Sequence, residues 1–247
     1  MDRLLGGEHM SQGIKMFDGH NWIERKANAR IFKNGIWQPA KVYLYTAQNE
    51  GWRLVSEQTF VSQWDCTWSQ SYWGQGADRW GVPSWKPNTA KPVGGETNGN
   101  ALYQGRFGNP DMAIKGDKGI QRGMFGFNDG DIRKALSGSK IKKVELYVHS
   151  HHWWYYAGGE LHLGTHNASG WQFKFSEANY NIVSQGYTAR DQGRWITLPN
   201  WVGDNLRDNK IKGFTTHIES MGLNYYGYMY GSQGGSKKPK LKITYAK

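Results

Sequence analysis

Cysteine is almost absent from this sequence. Cys66 is the single one among 247 residues, so no internal disulfide can form and no cysteine-cluster zinc site can be built. Acidic residues are few beside basic ones, 20 against 31, which leaves a formal net charge of +11. Aliphatic residues are sparse too. No apolar run approaches the ~20 residues that a membrane span requires, so no membrane insertion is expected. The opening Met1-Asp2-Arg3-Leu4-Leu5-Gly6-Gly7-Glu8 has no apolar core and does not read as a secretory signal. There is no Gly-x-Ser-x-Gly nucleophile elbow and no P-loop or dinucleotide fingerprint, so no cofactor is expected.

What the chain does have is glycine and rings. Glycine accounts for 33 residues, with 13 Trp, 14 Tyr and 9 Phe. Rings of that number bury enough area to offset chain entropy, which argues against disorder. The basic balance suits nucleic acid or an anionic polymer such as a teichoic acid. The lysines are mostly scattered, and the one dense group is Lys237, Lys238, Lys240 and Lys242. Scattered charge reads as a solvated surface, so nucleic acid is the less favoured partner.

Residues 1–13 read as a flexible leader containing Gly6, Gly7 and Gly13. Three similar units follow at a spacing of 15, with Trp22, Trp37 and Trp52 in register. The first is Met16-Phe17-Asp18-Gly19-His20-Asn21-Trp22, and the second is Ile31-Phe32-Lys33-Asn34-Gly35-Ile36-Trp37. The third is degraded to Tyr45-Thr46-Ala47-Gln48-Asn49-Glu50-Gly51-Trp52. In the first two, Asp-Gly or Asn-Gly supplies the positive φ of a tight turn between two short strands. Hairpins this small cannot bury their own Trp and must stack on one another or on other chains. An ordinary meander is the plainer alternative. Phe17, Trp22, Phe32, Trp37 and Trp52 are therefore the candidate attachment and oligomerisation residues.

Residues 59–68 read as one strand with Phe60, Ser62, Trp64, Cys66 and Trp68 on one face. Residues 69–100 read as a long irregular stretch. Further on, Asp131 is the expected N-cap, and Gly138 the expected stop, of the single helix predicted in the chain. Ile141, Val144, Leu146 and Val148 open a strand running to about Tyr156, and Gly158-Gly159 turn it into a hairpin with 160–166. Strands are also expected near 171–175, 181–188, 194–198, 212–219 and 224–230. The last strand, 240–245, alternates Lys outward with apolar residues inward. Many short strands with Gly-rich turns predict an all-β chain: hairpin repeats over 14–58, then a jelly-roll-like β-sandwich with one short helix over 59–247.

Four constellations bear on chemistry. His149, His151 and His162 come nearest to a metal set, but local sequence places no carboxylate beside them, so no metal is expected. Asp129, Asp131, Glu145 and Glu160 could supply a carboxylate pair, but turn, cap and strand alternation explain several of them, and no motif links any two. Cys66 lies on an apolar strand face, where thiols are inert. No catalytic residue is assigned and the chain is not expected to be an enzyme. The fourth constellation is aromatic. Trp153, Tyr155, Tyr225, Tyr226, Tyr228, Trp73, Trp80 and Trp85 are the candidate ligand-binding rings, because rings beside polar side chains hold sugars by stacking and hydrogen bonds. Strand alternation sets Trp153 and Tyr155 on one side and Trp154 and Tyr156 on the other.

A resemblance bears on function. It runs through Thr67-Trp68-Ser69-Gln70-Ser71-Tyr72-Trp73-Gly74, Leu102-Tyr103-Gln104-Gly105 and Gly119-Ile120-Gln121-Arg122-Gly123-Met124-Phe125-Gly126-Phe127. It continues through Ala135-Leu136-Ser137-Gly138, Ile141-Lys142-Lys143-Val144-Glu145-Leu146-Tyr147 and Leu163-Gly164-Thr165-His166-Asn167. It closes on Tyr225-Tyr226-Gly227-Tyr228 and Lys238-Pro239-Lys240-Leu241-Lys242-Ile243-Thr244-Tyr245. This series resembles the C-terminal domain of minor tail and tail-tip proteins of phages infecting Gram-positive bacteria. The Phe-Asp-Gly-x-x-Trp units resemble the hairpins that precede it. The resemblance implies a virion protein, a homotrimeric fibre, spike or receptor-binding protein. Such a protein would join other tail proteins through its repeats and hold a host cell-wall glycan or teichoic acid with its head. It implies no catalytic residue. The rival readings are a structural tail-tip or decoration protein, a cell-wall polysaccharide depolymerase, and a free carbohydrate-binding module.

Overall fold

The computed structural model describes residues 14–17, 22–25, 30–33, 36–39, 43–46, 51–70, 80–85, 101–107, 119–170, 172, 175–220 and 222–247. The leader over 1–13 lies outside them. The chain divides into two compact units, Met1–Val55 and Ser56–Lys247.

In the first unit short strands pair with their sequence neighbours. β1 (Ile14–Phe17) pairs with β2 (Trp22–Arg25), and β3 (Arg30–Lys33) with β4 (Ile36–Pro39). β5 (Tyr43–Thr46) pairs with the start of β6 (Gly51–Val61). All three ladders are antiparallel, with Phe17 opposite Trp22, Phe32 opposite Trp37 and Tyr45 opposite Trp52.

The second unit is mostly one antiparallel sheet that curls. After the end of β6 its elements are β7 (Trp64–Gln70), β8 (Trp80–Trp85), β9 (Ala101–Phe107), β10 (Gly119–Gly126), α1 (Asp129–Leu136), β11 (Lys140–Trp153) and β12 (Gly159–His166). Then come β13 (Asn179–Tyr187), β14 (Gly193–Leu198), α2 (Asn200–Arg207), β15 (Gly213–Thr216), β16 (Gly227–Tyr230) and β17 (Lys240–Ala246). Across the sheet the order is β13, β12, β15, β10, β9, β16, β11, β17, β6, with β14 also on β11 and β7 joining β10 to β8. The class is all-β, as the composition and patterning predict.

β11 organises the unit. Val144, Leu146 and Val148 point inward and are fully buried, while the residues between them stay half-buried on the other face. The first part of β11 lies between β14 and β17. A register shift at Ser150–His152 then hands the strand to β16. β17 alternates as its sequence does: Leu241 and Ile243 enter the core, and Lys240 and Lys242 stay on the outer face.

Three expectations need correction. First, the strand predicted over 59–68 is broken. Ser62 and Gln63 leave the strand because their N–H groups donate to Pro239 O and Gly126 O, each at 2.9 Å. Second, β11 and β12 are not partners. The turn forms, with an isolated bridge from Tyr155 to Gly158, but β16 takes the place beside β11, and β12 pairs with β13 and β15. Third, among the described residues there are two α-helices. The Asn128 side chain accepts the Asp131 N–H at 3.2 Å, so Asn128 and not Asp131 is the cap of α1. Gly138 follows the helix at φ +67°, a left-handed position that glycine adopts without strain.

α2 was not anticipated because Asn and Gly are poor helix formers. It persists because Val202 and Leu206 are buried in the core with Ile132 and Leu136 of α1. Gly203 lets it approach β11: a Cβ there would lie 2.8 Å from Cγ2 of both Ile141 and Val144. Gly203→Ala, ordinarily helix-stabilising by about 1 kcal/mol, is therefore expected to cost about 1–3 kcal/mol through overpacking. Urea melts of the two proteins check this.

Candidate ligand-binding face

The outer face of β14, β11 and β17 brings aromatic and basic side chains into register. Tyr147 sits between Trp195 on β14 and Lys240 on β17, and the next row is Thr197, Glu145 and Lys242. The Trp195 and Tyr147 rings lie 5.3 Å apart, tilted by 52°. Trp195 is 43% exposed. The Lys242 ammonium stands 4.7 Å from the Trp195 ring centre, and the Lys240 ammonium 5.2 Å from that of Tyr147. Glu145 ties down Lys143 at 2.9 Å and Lys242 at 3.0 Å. Ammonium groups held against ring faces are stabilised by the ring quadrupole and stay beside the platform they flank.

The face continues past the β11 bulge as a row of histidines and tyrosines. His149 meets Tyr230 edge-on at 5.4 Å, and His151 lies between Tyr230 and Tyr228 at 5.0 and 4.9 Å. His152 stacks on Tyr228 at 5.3 Å. Burial holds His151 below the ordinary imidazole range. Asp191 is the hub of this end. It accepts from Lys237 Nζ at 2.6 and 2.9 Å and from Tyr230 OH at 3.4 Å, and its Oδ1 lies 3.2 Å from His149 Nε2. The Lys237 ammonium keeps the Asp191 carboxyl below the usual carboxylate range. On its other side His149 Nδ1 lies 2.9 Å from the Tyr147 hydroxyl. Gly193 makes this contact possible, since a Cβ there would fall 2.2 Å from that hydroxyl.

Beyond β11 an aromatic turn projects. Tyr155 is 48% exposed and Tyr156 82%. Arg190 braces it by donating to Trp153 O at 2.8 Å and Trp154 O at 2.9 Å, with its guanidinium 3.6 Å from the Tyr156 ring centre.

Two other places gather polar side chains. His217 lies between Glu177 at 2.8 Å and Glu219 at 2.9 Å, Arg122 bonds Glu219 at 2.7 Å, and the Thr215 hydroxyl donates to Glu177. Its carboxylates and cations engage one another, so it fastens residues 175–178 to β15. An open groove of about 650 Å³ lies between the end of β6 and α1, lined by Phe60, Gln63, Asp131 and Lys134 among others. It lacks the paired rings and flanking ammonium groups of the β11 face.

The structure redistributes the sequence candidates. Trp153 is fully buried. It is a core residue and not a ligand-facing ring, because the β11 bulge sets it inward against Tyr187 at 5.4 Å. Tyr226 is only 2% exposed and packs with Ala101 and Tyr103, so it too leaves the set. Trp153 and Tyr155 do not share an exposed side: Tyr155 belongs to the projecting turn. Tyr228 lies on the face. Tyr225 is half-buried elsewhere, 5.3 Å from His162. Trp80 and Trp85 begin and end β8, a strand paired with β7 inside the stretch 69–100 that the sequence alone reads as irregular, and Trp73 lies outside the described residues. His162 does not join His149 and His151, since β12 is not beside β11; its Nε2 lies 2.8 Å from Glu160 Oε1, and its Nδ1 shares a hydrogen bond with the Ser184 hydroxyl at 3.3 Å. Among the described residues no group of three or more His, Cys, Asp or Glu could hold a metal ion. Residues 172 and 175 are not in a strand, and the rest of 171–175 lies outside the described residues.

Local sequence missed Tyr147, Trp195, Tyr230 and Asp191, and it singled out His149 only as a candidate metal ligand. The signal for the strand residues was alternation: Tyr147 and His149 occupy the outward positions between Leu146, Val148 and Ser150. Comparison with known proteins finds no family model that matches the chain and no matching curated protein sequence. No helix among the described residues is long and apolar enough to cross a membrane.

Proposed function

We propose that this chain is a phage tail protein whose second unit adheres to a host cell-wall glycan. The observation that carries the reading is the row Trp195, Tyr147 and Lys240 on an outward sheet face. Rings held side by side offer a stacking platform for a pyranose, and the flanking ammonium groups suit hydroxyl, phosphate or carboxylate substituents. The tail assignment rests on the resemblance between the residue series above and tail-tip proteins. In this reading residues 14–58 are a repeat module that attaches to partner tail proteins and to sister chains of a homotrimer. Residues 59–247 are a jelly-roll-like head. The like register of the first unit's ladders, Phe17 opposite Trp22, Phe32 opposite Trp37 and Tyr45 opposite Trp52, supports the repeat. Trimerisation would strengthen weak single sites through multivalency. No catalytic role is proposed.

The test is binding of the fluorescently labelled protein to purified Gram-positive cell walls, before and after wall teichoic acids are stripped. Saturable binding that Trp195→Ala weakens at least tenfold, about 1.4 kcal/mol or more, is the expected result. Loss on stripping would assign the ligand to the teichoic acid, and retention to the remaining wall glycan. A stable oligomer that binds no wall would leave the structural tail-component reading in its place.

A further inference from the structure

The hydrogen bonds around His149 form a chain in which nearly every proton can be assigned. Asp191 stays a carboxylate beside the Lys237 ammonium. It is therefore acceptor-only, and His149 Nε2, 3.2 Å from Asp191 Oδ1, must carry the N–H. With the ring proton on Nε2, Nδ1 presents its lone pair. The Tyr147 hydroxyl, 2.9 Å away, has one proton and donates it there. The other polar neighbours are already arranged: Tyr230 OH donates to Asp191 and accepts from Lys237. Lys240 reaches the Tyr147 ring rather than its oxygen. His151 lies against Tyr228 and Tyr230, and Glu145 is held by Lys143 and Lys242.

We infer that the Asp191–His149–Tyr147 chain makes the Tyr147 oxygen a fixed hydrogen-bond acceptor, so that the face selects a ligand presenting a hydroxyl or amide N–H donor beside the Trp195 ring. This rests on the glycan reading above and narrows it. Trp195 supplies stacking without regard to donor or acceptor. Tyr147 is the specificity-determining residue, and His149 and Asp191 are positioning residues that act through it. A saccharide whose hydroxyls are capped offers only acceptors, and these meet lone pairs at Tyr147. Gly193 belongs to the same device, because any side chain there would displace the hydroxyl from His149.

The experiment combines a direct reading of the ring with a binding assay. Nitrogen NMR of histidine-labelled protein at neutral pH should show His149 as the Nε2–H tautomer, and Asp191→Ala should release that preference. The binding probe is purified Gram-positive cell wall, native or chemically O-acetylated. Wild type should bind acetylated walls about 3- to 10-fold more weakly than native ones, the value of one hydrogen bond. Tyr147→Phe should bind native walls weakly by the same factor and be indifferent to acetylation. Thermal melts of each variant check folding. An Nδ1–H tautomer in wild type, or native-wall binding unchanged by Tyr147→Phe, would overturn this inference while leaving wall adhesion intact. Failure of the wild type to bind any wall would overturn both.

Discussion

Trp153→Ala should lower the stability of the second unit by about 3–5 kcal/mol, a melting-temperature fall of roughly 6–20 °C for a domain of this size. The indole is fully buried. Two glycines press on it: a Cβ at Gly159 or Gly227 would lie 2.2 or 2.4 Å from Trp153 Cε3. Backbone thus packs directly against the ring, and backbone cannot collapse into the space that alanine would leave. Trp153 also sits where β11 meets β16, with Trp153 opposite Gly227, and its carbonyl anchors Arg190. The aromatic turn should therefore loosen along with the core. Calorimetry of the purified protein measures the first effect and protease cleavage near Tyr156 the second. Trp153→Phe, which keeps an aromatic ring, should recover much of the loss. Equal stability of wild type and the alanine variant would mean that the ring is not the packing centre described.

The second large effect depends on pH. Asp65 is buried, and burial pushes its carboxyl up to about 7, partly offset by the Ser232 hydroxyl and N–H that donate to it. A native state that holds its proton more tightly than the unfolded chain has its full relative stability below about 4. That contribution declines as the pH rises, and it is lost above about 7. His166 has the opposite sense. It is buried neutral, 2.9 Å from Phe125 O and accepting the Ala168 N–H at 3.1 Å, and burial lowers it to about 4. Its contribution is present above about 6.5 and is lost as the pH falls through about 4. Between about 4 and 6.5 these two slopes oppose each other, so Asp65 and His166 together leave little pH dependence there. Asp65→Asn removes one slope. The variant should be more stable than wild type at pH 8, where the buried carboxylate is replaced by a neutral amide, and become steeply acid-sensitive below pH 6.5. Urea melts from pH 4 to 8 decide it. A variant profile parallel to that of wild type would show that Asp65 ionises normally in the native state.

Alternation was legible where one strand carries it alone. Val144, Leu146 and Val148 inward, and Lys240 and Lys242 outward, follow from residue order, because successive side chains point to opposite faces. Cys66 was expected on an apolar strand face as an inert thiol; it is fully buried, and burial pushes that thiol up. Gly138 was legible as a helix stop. The histidines and rings were legible as material for a surface, but their partners were not. Tyr147 meets Trp195 across one ladder and Lys240 across another, and those residues are far from it in sequence. Asp191 enters from a turn with φ +51° that nothing local announces.

Residue order by itself thus determined the class of structure, the inward and outward sides of β11 and β17, and the short α1 helix, since each depends on periods of two or a few residues. Tertiary structure decided the rest. It placed β16 rather than β12 beside β11, with Gly227 opposite Trp153. It stabilised α2 against its own weak propensity, because Gly203 lets Ile141 and Val144 touch the helix backbone. It put Trp153 in the core, and it assembled the Trp195, Tyr147, His149 and Asp191 face from separate stretches of chain. Side chains meet across hydrogen-bonded ladders whose partners are chosen by packing, and packing is a property of the whole sheet.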